Sequence, residues 1–323
     1  MKNVLGMGNA LVDIMVPIED DLLLETLHLP KGSMQLVDKD RSDEILSSVS
    51  GMKQTISAGG SAANTIHGLA RLGVPAGYIG MVGEDEMGGY FVRDLIHAGA
   101  DPHLIHSPHD TGKAIALVSN DSERTFATYL GAAVEMAPEH IRPVLFEGYS
   151  IFHIEGYLVQ NHELIRKAVE EAKKAGLIVS LDLASYNVVE SNKDFLTTII
   201  QPFVDILFAN EEEAKAFTGL EPEKALKTMS KMVDISIIKT GRSGSLVKRG
   251  KEIARIGIIP VTPVDTTGAG DLYASGFLFG IANGQSLQRC GELGAMLAGN
   301  VIEFMGAKIP PERWIRIREQ IGT

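Results

Sequence analysis

Residues 151–182 read IFHIEGYLVQNHELIRKAVEEAKKAGLIVSLD. Within them a β-rich apolar run, Ile151-Ile154, precedes a helical pattern over His162-Lys174, and a second apolar run follows at Leu177-Asp182. The helical pattern repeats its apolar residues at a spacing near 3.6, and Gly176 follows as its stop. Strand, helix and strand in this order predict a βαβ unit, in which the two strands lie parallel in one sheet.

The same alternation extends through most of the chain. Further strands are predicted at Asn3-Leu5, Ala76-Val82, Ile206-Phe208 and Ile235-Lys239, and further helices at Glu211-Thr218 and Ser286-Met305. Pro102 and Pro108 predict a surface loop between two of these elements. The order of the elements favours one doubly wound α/β domain.

Two segments interrupt the alternation and predict an inserted β structure. Residues 112–131 alternate around Ala114-Val118 and Thr125-Tyr129, with the turn-prone Asn120-Asp121-Ser122 between them, which indicates a hairpin. Residues 14–18 and 33–37 are candidates for two more strands, so we expect a small β lid formed by about 14–37 and 112–131. A second hairpin is predicted at 245–259. No linker-like stretch is found, so residues 1–323 are expected to form a single domain.

Composition narrows the class of function. The 323 residues are 45% hydrophobic and 22% charged, which are ordinary globular values. An excess of 41 Asp and Glu over 30 Lys and Arg gives a formal charge of −11, which argues against nucleic-acid and polybasic membrane partners and favours small ones. The single cysteine, Cys290, fits a reducing compartment, and Asp13 interrupts any signal-peptide core near the N-terminus. We expect a cytoplasmic protein.

The strongest chemical signal is Asp265-Thr266-Thr267-Gly268-Ala269-Gly270-Asp271, which leads into an apolar helix. A Gly-Ala-Gly turn that opens a helix leaves first-turn N–H groups unpaired and lets an anion approach closely. The positive end of the helix dipole adds to the attraction. Asp271 would stand beside a bound phosphate, where it can accept the proton of an attacking hydroxyl. Spacing alone equally allows a helix cap with a dipole-complementing aspartate.

Two more elements carry short polar side chains beside glycines. Ala58-Gly59-Gly60-Ser61-Ala62-Ala63-Asn64 opens an amphipathic helix and is typical either of a backbone that lies against a ligand or of a Gly turn with a Ser cap. Gly6-Met7-Gly8-Asn9-Ala10-Leu11 superficially matches a dinucleotide fingerprint, but Leu11 takes the place of the third glycine. The residues beyond Leu11 have an extended rather than a helical pattern, which argues against nicotinamide binding. Asp13 lies among apolar neighbours and needs a partner such as a ligand hydroxyl.

These elements together resemble the PfkB/ribokinase family of small-molecule kinases. Five motifs match in order over nearly the whole chain: Gly8-Asn9-Ala10-Leu11-Val12-Asp13, Gly59-Gly60, Asn210-Glu211-Glu212-Glu213, Lys239-Thr240-Gly241 with Gly244, and Asp265–Asp271. The resemblance implies a ribokinase-like three-layer α/β/α fold with a mostly parallel central sheet and a small β lid. It also implies transfer of the ATP γ-phosphoryl group to a substrate hydroxyl. No Gly-x-x-x-x-Gly-Lys-[Ser/Thr] run is present, so the chain is not a Walker-type enzyme.

The resemblance assigns roles to individual residues. Asp271 matches the family's base, and the amides of Gly268, Ala269 and Gly270 match its anion hole. Glu213 matches the residue that organises Mg²⁺ and its waters, with a solvated acidic helix start as the alternative. The nucleotide positions fall on Asn210, Thr240, Gly241, Gly244 and Asn300. Asp265 and Thr267 match residues that hold a monovalent cation such as K⁺ in some members. Lid edges pair between chains only in some members, which leaves a monomer and a lid-mediated homodimer open.

The substrate follows from the branch of the family. The N-terminal motif, Lys31-Gly32-Ser33-Met34 and the run 124–133 resemble the adenosine-kinase branch. That resemblance implies that a primary hydroxyl of a ribose-containing nucleoside, adenosine, accepts the phosphoryl group. Asp13 and Asn64 would bind the ribose, Asn9, Gly60 and Ser61 would complete the pocket, and Arg124 on the lid would reach the transferring phosphate unless it is an exposed hairpin arginine. Ala62-Ala63 replaces a polar pair usual in the branch, which keeps a kinase of ribose or fructose as the alternative.

Overall fold

The computed structural model describes residues 1–121 and 123–322, so Ser122 of the predicted turn lies outside the described residues. The strands are, in chain order, β1 (Val4–Met7), β2 (Leu11–Pro17), β3 (Met34–Leu36), β4 (Thr55–Gly59), β5 (Ala76–Gly83), β6 (Ala100–Ser107), β7 (Thr111–Val118), β8 (Arg124–Gly131), β9 (Ile151–Glu155), β10 (Ile178–Asp182), β11 (Ile206–Asn210), β12 (Ile235–Lys239), β13 (Ser245–Arg249) and β14 (Glu252–Ile256). The α-helices are α1 (Leu22–Thr26), α2 (Lys39–Ser48), α3 (Ser61–Arg71), α4 (Glu86–Ala98), α5 (His162–Lys174), α6 (Tyr186–Phe203), α7 (Glu211–Thr218), α8 (Pro222–Met229), α9 (Ala269–Ala282), α10 (Leu287–Val301) and α11 (Pro311–Ile321).

Nine strands form a large, mostly parallel sheet. Its order is β14-β13-β12-β11-β10-β9-β1-β5-β6, and only the β12–β13 and β13–β14 pairs are antiparallel. One hydrophobic core contains buried side chains of α3, α4, α9, α10 and α11, and a second contains those of α5, α6, α7 and α8. The sheet therefore lies between two helical layers, and the chain has the expected three-layer α/β/α fold.

A second sheet of five strands has the order β3-β8-β7-β2-β4. We call this sheet, together with α1 and α2, the lid. The predicted lid segments 14–18, 33–37 and 112–131 contain most of β2, β3, β7 and β8. β4, α1 and α2 were not predicted from the sequence. Buried lid residues such as Ile14, Ile45 and Ile115 belong to the same hydrophobic core as α3 and α9. The lid is thus packed on the larger unit through apolar contacts.

The predicted elements of the large sheet are present with shifts of a few residues. The bounds of α5 and α7 match the predicted 162–174 and 211–218, the hairpin at 245–259 is β13–β14, and α10 is shorter than the predicted 286–305. The surface loop predicted around Pro102 is wrong, because Ala100–Ser107 forms β6. β6 is an edge strand, where a proline leaves no central hydrogen bond unmade. Among the described residues, no helix combines the length and apolar character needed to cross a membrane.

Candidate active site

A cleft of about 580 Å³ lies where the carboxyl ends of the parallel strands meet the lid. Ligands of open parallel sheets bind outside these strand ends. The predicted site residues that line it are Asp13, Gly60, Ser61, Asn64, Asn210, Glu213, Gly241, Thr267, Gly270 and Asp271. The other predicted site residues, Asn9, Arg124, Thr240, Gly244, Asp265, Gly268, Ala269 and Asn300, lie outside that lining. The structure therefore brings residues from all five sequence motifs to one place.

The N-terminus of α9 opens into this cleft. Gly268 precedes the helix at a φ of +74°, and a Cβ there would lie 2.5 Å from the Cβ of Ala307. Only glycine fits that turn. The N–H of Ala269 donates to the Thr266 carbonyl oxygen at 3.2 Å, so this amide is partly engaged. No acceptor for the N–H of Gly270 is found among the described residues. The turn presents a donor to an anion at the positive end of a helix.

Asp271 lies in the first turn of α9 and is held by two side chains of α3. Its Oδ1 accepts a hydrogen bond from Ser61 Oγ at 2.7 Å, and its Oδ2 accepts one from Asn64 Nδ2 at 3.0 Å. Burial raises the pKa of Asp271 to about 6, and the bonds from Ser61 and Asn64 oppose that rise. A carboxylate with a pKa just below neutrality is ionised at pH 7 and still basic enough to take a hydroxyl proton.

Asp13 and Asn64 line the same cleft as Asp271, beside the Gly59-Gly60 element. A Cβ at Gly59 would lie 2.2 Å from Asp13 Oδ1, and one at Gly60, whose φ is +93°, would lie 2.2 Å from the Asn9 carbonyl oxygen. Asn64 Oδ1 is a buried oxygen without a hydrogen-bond partner among the described residues. Burial raises the pKa of Asp13 to about 7, while Lys308 lowers it. Both side chains can therefore exchange hydrogen bonds with ligand hydroxyls.

Glu155, at the end of β9, lies outside the lining of the cleft but joins two of the segments around it, which the sequence did not reveal. Its Oε1 accepts a hydrogen bond from the N–H of Asn9 at 2.8 Å, and its Oε2 accepts one from the N–H of Ala62 at 2.9 Å. A Cβ at Gly8 would lie 2.3 Å from Glu155 Oε2 and 2.9 Å from the Cβ of Ala62. The small Ala62 thus fits a crowded junction between β1 and α3, and Glu155 holds the backbone of Asn9 outside the lining of the cleft. Leu11–Pro17 forms β2, in agreement with the extended pattern predicted beyond Leu11.

Asn210 and Glu213 form a capping box at the start of α7 and also line the cleft. Glu213 accepts hydrogen bonds from the backbone N–H and the Nδ2 of Asn210 at 2.8 and 2.7 Å. Burial raises the pKa of Glu213 to about 7, although Lys239 lowers it. Within the described residues, no group of three or more His, Cys, Asp or Glu is arranged around a metal position. One carboxylate fits Mg²⁺ that is held chiefly by phosphate oxygens and water.

The other residues predicted to bind the nucleotide lie beyond the end of β12 and on α10. Gly241 follows β12 at a φ of +50° and lines the cleft, and the N–H of Thr240 donates to the Gly244 carbonyl oxygen at 2.8 Å. A Cβ at Gly244 would lie 1.9 Å from the Ile256 carbonyl oxygen, so this glycine shapes the turn into β13. Asn300 Nδ2 donates to the Met296 carbonyl oxygen at 2.8 Å within α10. Its amide is turned back onto its own helix.

Arg124 joins the lid to the loop before α9. Its guanidinium forms an ion pair with Asp265 and donates to the Thr267 hydroxyl, and its side chain is 11% exposed. The alternative of an exposed hairpin arginine is therefore wrong. Asp265 Oδ1 also accepts from the N–H of Thr267 at 2.6 Å. The residues predicted to hold a monovalent cation thus already contact a positive side chain.

Seven more lining residues were not predicted as site residues: Phe126, Tyr157, Asp182, Ala184, Glu211, Glu212 and Lys239. Lys239 Nζ lies 2.7 Å from Asp182 Oδ2, and Tyr157 donates to the carbonyl oxygen of Ala184 at 3.4 Å. Ala184 has a φ of +66°, a conformation that costs energy for a residue with a Cβ. Lys239 is the first residue of a matched motif and Asp182 ends a predicted strand, so the sequence carried a signal at both positions without assigning either a role.

Comparison with known proteins places this cleft in context. Residues 33–314 match the pfkB family of carbohydrate kinases. The adenosine kinase of Saccharomyces cerevisiae is 29% identical over 95% of this chain and 96% of its own. The solved adenosine kinase of Sinorhizobium meliloti is 34% identical with a TM-score of 0.89, and a "probable sugar kinase protein" of Rhizobium etli is 32% identical with a TM-score of 0.90. The two structures cover 99% of this chain, and this chain covers 99% and 98% of theirs.

Proposed function

The chain belongs to the pfkB family of carbohydrate kinases, and from that membership we propose that it transfers the γ-phosphoryl group of ATP to the primary hydroxyl of a ribose-containing nucleoside, adenosine. The proposal rests on one observation above the others. Asp271, Gly270 of the anion-binding turn and the pair Asp13 and Asn64 converge on one cleft, and Phe126 of the lid lines the same cleft.

The reaction follows from the positions of these groups. Asp271 takes the proton of the acceptor hydroxyl as its oxygen forms a bond to the γ-phosphorus, and the bond from that phosphorus to the bridging oxygen breaks to release ADP. The N–H of Gly270 and the positive end of α9 stabilise the negative charge that develops. Asp13 and Asn64 hold the ribose hydroxyls so that the primary hydroxyl faces Asp271. The lid excludes water, which would otherwise compete as acceptor.

The lid supports a nucleoside rather than a free sugar. Met34 on β3 pairs in register with Phe126 on β8, and Leu36 pairs with Thr128, so these side chains share one face. Arg124 on the same face contacts the loop before α9, which turns that face toward the cleft. Met34 and Leu36 are 52% and 55% exposed. A flat base would cover apolar surface that a free sugar leaves in water.

A sugar kinase acting on ribose or fructose is the second candidate. Ala62 and Ala63 replace a polar pair near the acceptor, and the Rhizobium etli relative is described as a sugar kinase. Asp13 and Asn64 would bind ring hydroxyls of either substrate. The two candidates share the base and the anion-binding turn, and they differ in what the apolar lid face contacts.

Ions complete the proposal. Glu213 with Asn210 would hold Mg²⁺ through its waters, and the metal supplies positive charge to the phosphates. Asp265 and Thr267 would hold a monovalent cation such as K⁺ if the Arg124 side chain moved away from them. Comparing the activity in K⁺ with the activity in a large organic cation tests this assignment. Thr240, Gly241, Gly244 and Asn300 are assigned to the nucleotide.

The setting of the enzyme is part of the same proposal. Residues 1–323 would fold as one kinase domain, because lid and main sheet share a hydrophobic core. A cytoplasmic location fits the use of ATP and the single cysteine. The open edge of β3 allows a lid-mediated homodimer as well as a monomer, and sedimentation distinguishes the two.

The experiment is ADP release from ATP and Mg²⁺ with adenosine, other nucleosides, ribose or fructose, with Asp271→Asn as control. We expect turnover on adenosine and a loss of about 10²–10⁴-fold in the variant. Turnover on a free sugar alone would replace the substrate and keep the mechanism. Full activity of Asp271→Asn would remove Asp271 as the base.

A further inference from the structure

Lys239 places a buried ammonium directly against the anion-binding turn. It is the last residue of β12, its side chain is 17% exposed, and it lines the cleft. A Cβ built at Gly270 would lie only 3.1 Å from Lys239 Nζ. The absence of a side chain at Gly270 therefore leaves the ammonium and the first turn of α9 facing the same space.

The charges around Lys239 favour an anionic ligand at this point. The described lining of the cleft contains six acidic residues, Asp13, Asp182, Glu211, Glu212, Glu213 and Asp271, and one basic residue, Lys239. A polyphosphate that enters such a cleft meets net negative charge. Within the described lining, the Lys239 ammonium is therefore the one side-chain charge that would attract the phosphates.

Asp182 orients the Lys239 ammonium and uses only one of its hydrogen-bond donors. Its Oδ2 accepts one hydrogen bond from Lys239 Nζ at 2.7 Å, and no second acceptor for Nζ is found in the described part of the chain. An ammonium has three N–H donors, so two remain for a ligand. Burial disfavours the charge, yet Asp182, Glu213 and Asp271 raise the pKa of Lys239 above its usual value, so the side chain stays protonated.

We propose that Lys239 is a catalytic residue whose ammonium binds the phosphoryl group during transfer, and that Asp182 is the positioning residue that holds it there. The inference rests on the proposed function and deepens it. As the acceptor oxygen bonds to phosphorus, the bond to the bridging oxygen breaks and the acceptor proton passes to Asp271. Lys239 donates to the phosphoryl oxygens and stays protonated throughout. Its charge stabilises the transition state more than bound ADP, which lacks that group.

A purely structural ion pair across β10, β11 and β12 is the competing explanation, and the experiment separates the two. It compares Lys239→Met, Lys239→Arg and Asp182→Asn with Lys173→Met. Lys173 forms a 2.7 Å ion pair with Asp205 at the opposite end of β10, so its loss is a matched control. Two quantities are measured: kcat, and the dissociation constant of Mg²⁺·ADP with and without aluminium fluoride, which mimics the phosphoryl group in transfer.

For Lys239→Met we expect kcat to fall about 10²–10³-fold, the Mg²⁺·ADP constant to change less than about threefold, and the fluoride-dependent tightening to disappear. Lys239→Arg and Asp182→Asn should lie between this variant and the wild type, and Lys173→Met should match the wild type. Unchanged kcat and tightening would overturn the inference, as would an equal loss of ADP binding and kcat. If Lys239→Met does not fold, the same comparison for Lys239→Arg decides: reduced tightening supports a ligand contact, and unchanged tightening contradicts it.

Failure of the proposed function has a different signature. A wild type that phosphorylates none of the acceptors, yet shows tightening that depends on Lys239, would remove the acceptor assignment and keep the role of Lys239. If the wild type and Lys239→Met phosphorylate adenosine equally well, the acceptor assignment is kept and the role of Lys239 is removed.

Discussion

Ser61 Oγ donates a 2.7 Å hydrogen bond to Asp271 Oδ1, and this bond joins the first turn of α3 to the first turn of α9. Both helices begin after glycines with positive φ, Gly60 at +93° and Gly268 at +74°. The two glycine motifs of the sequence therefore meet at one carboxylate. Asp271, the proposed base, is held by the same element that shapes the proposed acceptor pocket, so acceptor binding and proton transfer would depend on one segment.

Ser61→Ala should shift the acid limb of the pH profile of kcat/KM upward by about one unit. Burial raises the pKa of Asp271 to about 6 and the Ser61 bond lowers it, so its removal lets the pKa rise further. A hydrogen bond to a charged group is worth about 1.5–3 kcal/mol, and one pH unit is 1.36 kcal/mol. Activity would then fall several-fold at pH 6 and little at pH 8. Ser236→Ala, a buried serine on β12 outside the cleft lining, is the control, and an unshifted limb would show that Ser61 does not tune the base.

Gly59→Ala should damage acceptor binding more than stability. The added Cβ would lie 2.2 Å from Asp13 Oδ1 and 2.4 Å from its Cγ, so the carboxylate must move away from its place in the pocket. Crowding of this kind costs about 1–3 kcal/mol, which corresponds to a rise of about 5–150-fold in the KM of the acceptor. Gly51→Ala is the matched control, because a Cβ there meets nothing within 4 Å. Equal KM values for the two variants would contradict a role of Asp13 in acceptor binding.

Periodicity predicted the large sheet well because its strands are buried on both faces and separated by amphipathic helices. It failed at β6, where Pro102 is tolerated on an edge, and at β4, whose five residues pair with β2 from about 40 positions upstream. Neither case leaves a local pattern in the sequence.

The candidate site was predictable where a motif is contiguous. Glu155 and Asp182 are single polar residues outside the five matched motifs, and they end β9 and β10. They lie near Lys239, at the end of β12, only because of the strand order. The order of the strands in the sheet differs from their order along the chain, so local sequence patterns do not predict it. Likewise, no pattern reveals that Arg124 of the lid reaches Asp265, since the two lie on different elements.

Arg124→Ala should loosen the lid. Its guanidinium pairs with Asp265, whose side chain is fully buried, so its removal leaves an uncompensated charge, a loss of about 3–5 kcal/mol. We expect amide hydrogen exchange in β7 and β8 to accelerate at least about tenfold, with little change in β10 and β11. Lys31→Ala is the control, because Lys31 pairs with Asp21 and Asp121 inside the lid at exposed positions. Unchanged exchange in β8 would mean that apolar packing alone fixes the lid.

Asp13→Asn should stabilise the ligand-free protein at pH 8 relative to pH 5. Burial raises the pKa of Asp13 from 3.8 to about 7 against the opposing effect of Lys308, so the folded state binds this proton more tightly than the unfolded state. The stability contributed by the proton is fully present below pH 4 and is lost as the pH rises through about 7. Asparagine stays neutral, so its advantage should grow by about 2–3 kcal/mol between the two pH values in urea unfolding.

Asp121→Asn is the control, because its effect on stability should depend on pH in the opposite direction. The Lys31 ammonium holds the pKa of Asp121 below its usual value, so this aspartate stabilises the fold in its ionised form, and its replacement should be less favourable at pH 8 than at acidic pH. If Asp13→Asn instead gives the same free-energy difference at pH 5 and pH 8, Asp13 is ionised throughout. It would then only accept hydrogen bonds from an acceptor's hydroxyls. A pH-dependent difference would mean that Asp13 is protonated near neutrality in the ligand-free protein.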